Sequence, residues 1–201
     1  MTNLTVSISR GNAKLGAIPS VSLPAGITCN PGAPCFKECY ARRIAYRYKE
    51  SKNAYDRNLY ILTNNQVAYW LQVRAAAIMS KYFRYHVSGD IPDTGYFAEM
   101  VKTAEMLPGT TFLAFTKQYK IVNDYINGGG HIPENLKVIF SNWRAWKCDN
   151  PHNIPVCEVI FKDDTPAENW KICGGNCTEC ACRGIGCWEL KKGDTIAIYK
   201  H

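Results

Sequence analysis

The sequence predicts an α/β protein, either a partial (β/α) barrel or an open parallel sheet, carrying a cysteine-rich C-terminal cluster-binding loop region. Strand-length apolar runs alternate with helical patterns through the middle of the chain. Ten cysteines gather mainly near the two ends, and no internal repeat, low-complexity segment or linker divides the chain.

Residues 1–28 read as turn-rich and strand-poor, punctuated by Gly11, Gly16, Pro19, Pro24 and Gly26. From Tyr40 to Tyr82 the pattern is mostly helical, with divisions expected near Ser51–Asn53 and near Asn64–Asn65. Phe83 to Ser88 then reads as a buried strand, Gly95 to Leu107 as a helix and Thr110 to Phe115 as a strand. A helix follows over Gln118 to Asn127, stopped by Gly128-Gly129-Gly130, and Leu136 to Phe140 is a third strand. Such alternation belongs to parallel sheets with right-handed crossovers. Val156 to Phe161 adds a strand, Trp170 to Trp188 is a cysteine-rich loop, and Thr195 to Tyr199 closes the pattern. A chain of 201 residues supplies one well-buried core. A single domain is therefore expected, with an N-terminal cysteine loop (1–41), an α/β core (42–161) and a C-terminal cluster segment (162–201).

No basic head followed by an apolar stretch opens the chain, and no apolar run approaches a membrane span, so neither secretion nor a membrane partner is expected. The expected compartment is the reducing cytoplasm, where dense cysteine reads as metal binding or redox chemistry and not as disulfides. The formal charge of +7 raises the question of nucleic acid. Two four-iron clusters, each contributing roughly −2 with its thiolates, would leave a balance near +3, so the basic excess is weak evidence for such a partner.

Five cysteines fall within fifteen residues in Cys173-Gly174-Gly175-Asn176-Cys177-Thr178-Glu179-Cys180-Ala181-Cys182, ending at Cys187. A four-iron cube needs thiolates converging from several directions, and two- or three-residue gaps let a loop wrap it. Cys173, Cys177, Cys180 and Cys187 are the expected ligands, with Cys182 a spectator or substitute. Structural zinc is the alternative, although zinc sites usually show two separated pairs.

At the other end, Cys29, Cys35 and Cys39 supply three thiolates. Three ligands on a four-iron cluster leave one iron open to a small molecule. Alternatively Cys148 or Cys157 closes the site.

The predicted strands end in polar residues: His86-Val87-Ser88-Gly89-Asp90, Thr116-Lys117 and Ser141-Asn142-Trp143. Parallel sheets bind ligands at the carboxyl ends of their strands, so a polar pocket is expected there, with ordinary loop polarity and helix capping as the plainer reading. Asp90, Lys117 and Asn142 are the candidate catalytic residues. His131 and His152 read as surface residues. The arginines and tyrosines between Tyr40 and Tyr60 suit either a solvated basic face or nucleic acid.

The segments Ser22-Leu23-Pro24-Ala25-Gly26, Thr28-Cys29, Pro31-Gly32-Ala33 and Cys39-Tyr40-Ala41 resemble a bacteriophage family labelled gene product eighty-eight. So do His86 to Asp90, Phe115-Thr116-Lys117, Cys187-Trp188 and terminal His201. The resemblance spans nearly the whole chain and implies the host-cell cytoplasm. That family in turn looks like a shortened relative of radical S-adenosylmethionine enzymes. This further likeness implies a partial barrel, a three-cysteine cluster near the first strand, and Ser88-Gly89 with Asp90 where those enzymes touch the methionine amine. The cysteine gaps there are three and two, against five and three here.

Three functions follow as expectations. One is an iron–sulfur enzyme, radical or otherwise redox, holding one or two [4Fe–4S] clusters, with a small-molecule pocket and S-adenosylmethionine as a candidate cofactor. The others are an electron carrier or redox sensor acting on a redox partner, and a zinc-stabilised nucleic-acid-binding protein.

Overall fold

A computed structural model describes residues 4–144 and 146–200. Eight strands form one sheet in the order β1-β2-β3-β4-β5-β6-β8-β7. These are β1 (Ile8–Ser9), β2 (Ser20–Val21), β3 (Tyr82–Tyr85), β4 (Thr111–Thr116), β5 (Leu136–Trp143), β6 (Val156–Ile160), β7 (Lys171–Ile172) and β8 (Thr195–Tyr199). Only the β1–β2 pair is antiparallel. From β2 to β6 each strand lies beside its predecessor, and β1 and β7 form the two edges.

Helices α1 (Tyr40–Arg47), α2 (Lys49–Asn64) and α3 (Gln66–Ala77) connect β2 to β3. Helices α4 (Thr94–Met106) and α5 (Tyr119–Asn127) make the next two crossovers, and α6 (Cys177–Cys182) lies in the C-terminal segment. Short polar side chains start three of these helices. Asn65, Asp93 and Asn176 each accept a backbone N–H from three residues on, satisfying a donor the helix leaves unpaired.

Side chains alternate across the sheet and give each face its own core. On one face, Phe83, Tyr85, Phe112 and Phe140 pack against Tyr69, Trp70, Tyr96, Phe97 and Met100 of α3 and α4. On the other, Leu113, Ile139, Cys157 and Ile196 meet Leu15, Ile18, Trp188 and Leu190. Helices α3, α4 and α5 cover the first face. The cysteine-rich segment and residues from the N-terminal region cover the second.

Residues 4–28 carry two two-residue strands, in keeping with a strand-poor start. Three expectations change. The first helical break falls at Tyr48, whose extended backbone caps both α1 and α2, and not at the Ser51–Asn53 cluster inside α2. The third strand runs on to Trp143, because Ser141, Asn142 and Trp143 still pair with Cys157, Glu158 and Val159. Within the tail, Cys177–Cys182 is helical, where a loop was expected.

Candidate functional site

The carboxyl ends of β3, β4 and β5 border a cavity of about 240 Å³. Cys29, Cys35 and Cys39 line it, as do Ser88, Gly89, Asp90 and Lys117. The loop bearing these cysteines is fastened to the strand ends by backbone groups. Thr28 Oγ1 accepts the Asp90 N–H at 3.0 Å, Gln118 Nε2 donates to the Thr28 carbonyl at 3.2 Å, and the Leu23 N–H donates to the Ser88 carbonyl at 3.0 Å. Gly89 sits at the crossing with φ +79°, where a Cβ would stand 2.7 Å from both the Leu23 oxygen and Thr28 Oγ1. Only glycine fits this approach.

Asp90 acts inward, on the protein. Its carboxylate accepts the Thr116 hydroxyl at 2.6 Å, the Ile91 N–H at 2.8 Å and the Lys117 N–H at 2.8 Å. Burial pushes its pKa up against the pull of these hydrogen bonds. The residue clamps the ends of β3 and β4 together. Lys117 extends its ammonium to Ser141 Oγ at 2.6 Å and makes no ion pair among the described residues. Ser88 Oγ is buried without a hydrogen-bond partner.

Asn142 lies elsewhere. Because β5 continues through it, alternation turns its side chain away from the cavity. There its amide donates to Glu158 at 2.7 Å and its oxygen accepts the Cys148 N–H at 2.7 Å. Lys147 completes that group by pairing with Glu158 at 2.7 Å. Cys148 packs on this same helix-covered side, apart from Cys29, Cys35 and Cys39. Cys157 does border the cavity, but it belongs to the second core, and the thiol that perturbs it is Cys173.

Arg84, His86 and Ser141 also line the cavity and were not among the expected site residues. Arg84 lies inside β3, its guanidinium 4.5 Å over the Phe115 ring. A charge within the run Tyr82-Phe83-Arg84-Tyr85, in step with alternation, was the available signal. His86 adopts φ +59°, bonds Tyr96 through Nε2 at 3.0 Å, and leaves Nδ1 buried without a partner. Burial, assisted by Arg84, holds its pKa down at about 3. Of the other histidines, His131 is exposed and His152 bonds Asn127; terminal His201 lies outside the described residues. Helix α1 buries only Ala41, so its arginines and Tyr46, 93% exposed, face solvent.

The C-terminal thiols are held differently. Cys173, Cys177, Cys180 and Cys187 pack against the second core, and Cys182 is exposed. Cys177 and Cys180 share one helical face at i and i+3. Trp188 Nε1 donates to the Cys177 carbonyl at 3.1 Å, the Cys177 N–H donates to Lys14 at 2.9 Å, and Thr178 bonds the Leu15 carbonyl at 2.8 Å.

A family model described as gene product 88 matches residues 3–195. The chain belongs to this family. No curated protein and no solved structure matches it. Among the described residues, no helix is long and apolar enough to cross a membrane.

In this member of the family the thiols share three features. All ten cysteines are free. Cys29, Cys35 and Cys39 are near enough to perturb one another, and a second such set links Cys157, Cys173, Cys177 and Cys187. Burial raises the Cys29 thiol to about 11 and lifts those of Cys35, Cys177 and Cys187, while Lys117 opposes the rise at Cys35 and Arg84 at Cys177 and Cys187. Cations placed beside reluctant thiols favour the thiolate that iron requires. Among the described residues, no three His, Cys, Asp or Glu side chains stand in position to hold a single metal ion.

Proposed function

We propose that the protein is an iron–sulfur redox protein of the reducing cytoplasm. In this reading Cys29, Cys35 and Cys39 would hold a four-iron cluster beside the cavity they line. Cys173, Cys177, Cys180 and Cys187 would hold a second cluster against the second core, on the same face of the sheet. One observation carries the reading: three free thiols of one loop border the same cavity as Lys117, Ser88 and Asp90.

A bound cluster would supply electron transfer and an open coordination position. The chain's own residues do the rest. The Gly26 N–H lies 3.5 Å from Cys29 Sγ and lowers the cost of its thiolate. Lys117 offsets charge at Cys35, and Arg84 does so at Cys177 and Cys187. Asp90 and Gly89 fix the cysteine loop against β3 and β4. Arg42 closes the outer wall, donating to the Phe36 carbonyl at 3.2 Å and stacking on the Phe36 ring at 4.8 Å.

Anaerobic purification followed by an absorption spectrum and a count of iron and acid-labile sulfide tests the reading. Broad visible absorption with four to roughly eight irons per chain is expected for one or two four-iron clusters. A colourless protein carrying zinc and no sulfide overturns it and favours a zinc-stabilised protein. Adding S-adenosylmethionine to the dithionite-reduced protein separates radical chemistry from simple electron carriage. Release of methionine and deoxyadenosine marks the radical enzyme, and an unchanged paramagnetic spectrum marks the carrier.

A further inference from the structure

We infer that the cavity binds a small organic anion, with Lys117 as the gripping cation and Arg84 and Ser88 beside it. This deepens the proposed function by naming its substrate class, and it rests on that reading only for the purpose such a ligand would serve.

The charges around the cavity do not balance. Lys117 has one hydrogen-bond partner, the neutral Ser141 hydroxyl, and no carboxylate pairs with its ammonium among the described residues. An ammonium carries three donors, so donors remain for a ligand. Arg84 adds a second cation to the wall. Of the two carboxylates on that wall, Asp90 is saturated by a hydroxyl and two backbone N–H groups, and Glu38 at the margin is paired with Lys200. Partly buried cations that face open space with no carboxylate at ion-pair distance favour an anion there.

Two buried polar atoms point the same way. Ser88 is 3% exposed and its hydroxyl has no partner, and His86 is 5% exposed with Nδ1 unpaired. Both residues border the cavity. Buried polar groups in native proteins are nearly always satisfied, so unsatisfied ones beside a cavity mark a place where a ligand completes the bonding. The volume of about 240 Å³ lies below the roughly 300–1,000 Å³ typical of drug-sized ligands, which limits the occupant to a small metabolite or one charged end of a larger one. Offsetting thiolate charge explains part of the basic lining. It leaves unexplained why Ser88 and His86 lack partners.

Carboxylate and phosphate share the required chemistry, and calorimetry distinguishes them. Inorganic pyrophosphate, malonate and S-adenosylmethionine would each be titrated into the full-length protein, both as purified anaerobically and after chelation of any iron. One site per chain is expected for at least one probe. Malonate alone indicates a carboxylate, pyrophosphate alone a phosphate ester, and S-adenosylmethionine competing with malonate the carboxylate of that cofactor. Lys117→Met is expected to weaken binding at least tenfold and Ser88→Ala severalfold, while Lys52→Met on the exposed face of α2 leaves it unchanged. Ser88→Ala and Lys52→Met should retain the parent's iron content, and Lys117→Met is compared with the parent after chelation of iron. Failure of every probe to bind, or unaltered affinity in both Lys117→Met and Ser88→Ala, overturns the inference. Anion binding by protein that carries no iron as anaerobically purified would overturn the cluster reading and leave this one standing.

Discussion

Cys29, Cys35 and Cys39 border open space, whereas Cys173, Cys177, Cys180 and Cys187 lean on Leu113, Ile139, Trp188 and Leu190. The two groups share a side-chain chemistry and differ in support. The first is set on a loop fastened by hydrogen bonds to the Ser88 carbonyl and the Asp90 N–H, with Gly89 in close approach between them. The second is woven into a core, with α6 and Trp188 fixing it to residues 14–17. The first group therefore has room for a ligand, and the second doubles as the cover of one sheet face. The contrast predicts that stability depends on the C-terminal group and ligand chemistry on the N-terminal group.

The largest effect is expected at Trp188. Replacing it by alanine removes a fully buried ring from the second core and the bond from its Nε1 to the Cys177 carbonyl, costing about 4 kcal/mol. For a chain of this size that lowers the thermal midpoint by roughly 8–16 °C, measured by circular dichroism. A midpoint unchanged from the parent would erase the distinction between the groups.

Gly89→Ala comes next, at about 3 kcal/mol, because a Cβ at φ +79° meets the Leu23 carbonyl and Thr28 Oγ1. Urea titration gives the loss. Iron retained at the N-terminal cysteines in a fully destabilised variant would show that the clamp does not position the loop.

The third effect depends on pH. His86 titrates at about 3 when folded, against an ordinary value near 6.5, so the unfolded chain binds the proton first. Its contribution to stability is complete above about 6.5 and falls away as the pH drops toward 3. At pH 4.5 the loss is roughly 2–3 kcal/mol. His86→Asn tolerates the positive φ and should flatten this part of the profile. Parallel stability curves for parent and variant between pH 7 and 4.5 would count against it.

Cys35→Ala is expected to change stability least, by about 0.5 kcal/mol, since its side chain faces the cavity and is only half-buried. It should nonetheless abolish iron binding at the first site. A large fall in thermal midpoint without loss of iron would invert the comparison.

Much of the architecture was legible because its strands are apolar and its helices carry clear stop signals. Thr195–Tyr199 matches the expected bounds, and Gly128 ends α5 as its position suggested. The rule that strand ends carry the site brought Ser88, Gly89, Asp90 and Lys117 to one cavity with the three N-terminal cysteines. It failed at Asn142, because a polar residue was taken to end a strand that in fact continues and so turns the side chain to the opposite face. It passed over Arg84 for the complementary reason, that a charge inside a strand drew no attention. The role of Asp90 was also hidden: nothing in the sequence shows that its carboxylate is consumed by its own neighbours.

The pairing of Lys200 with Glu38 joins residues 162 apart in the chain, and Lys200 also lies over the Trp143 and Phe161 rings. The chamber's last side is thus built by β8 and the residue that follows it. During synthesis Cys29, Cys35 and Cys39 emerge long before that wall exists, as three unprotected thiols open to oxidation or to the wrong metal. If these thiols hold the proposed cluster, its loading would follow the docking of that strand, and the yield of intact protein should depend on how quickly the strand docks relative to how oxidising its surroundings are.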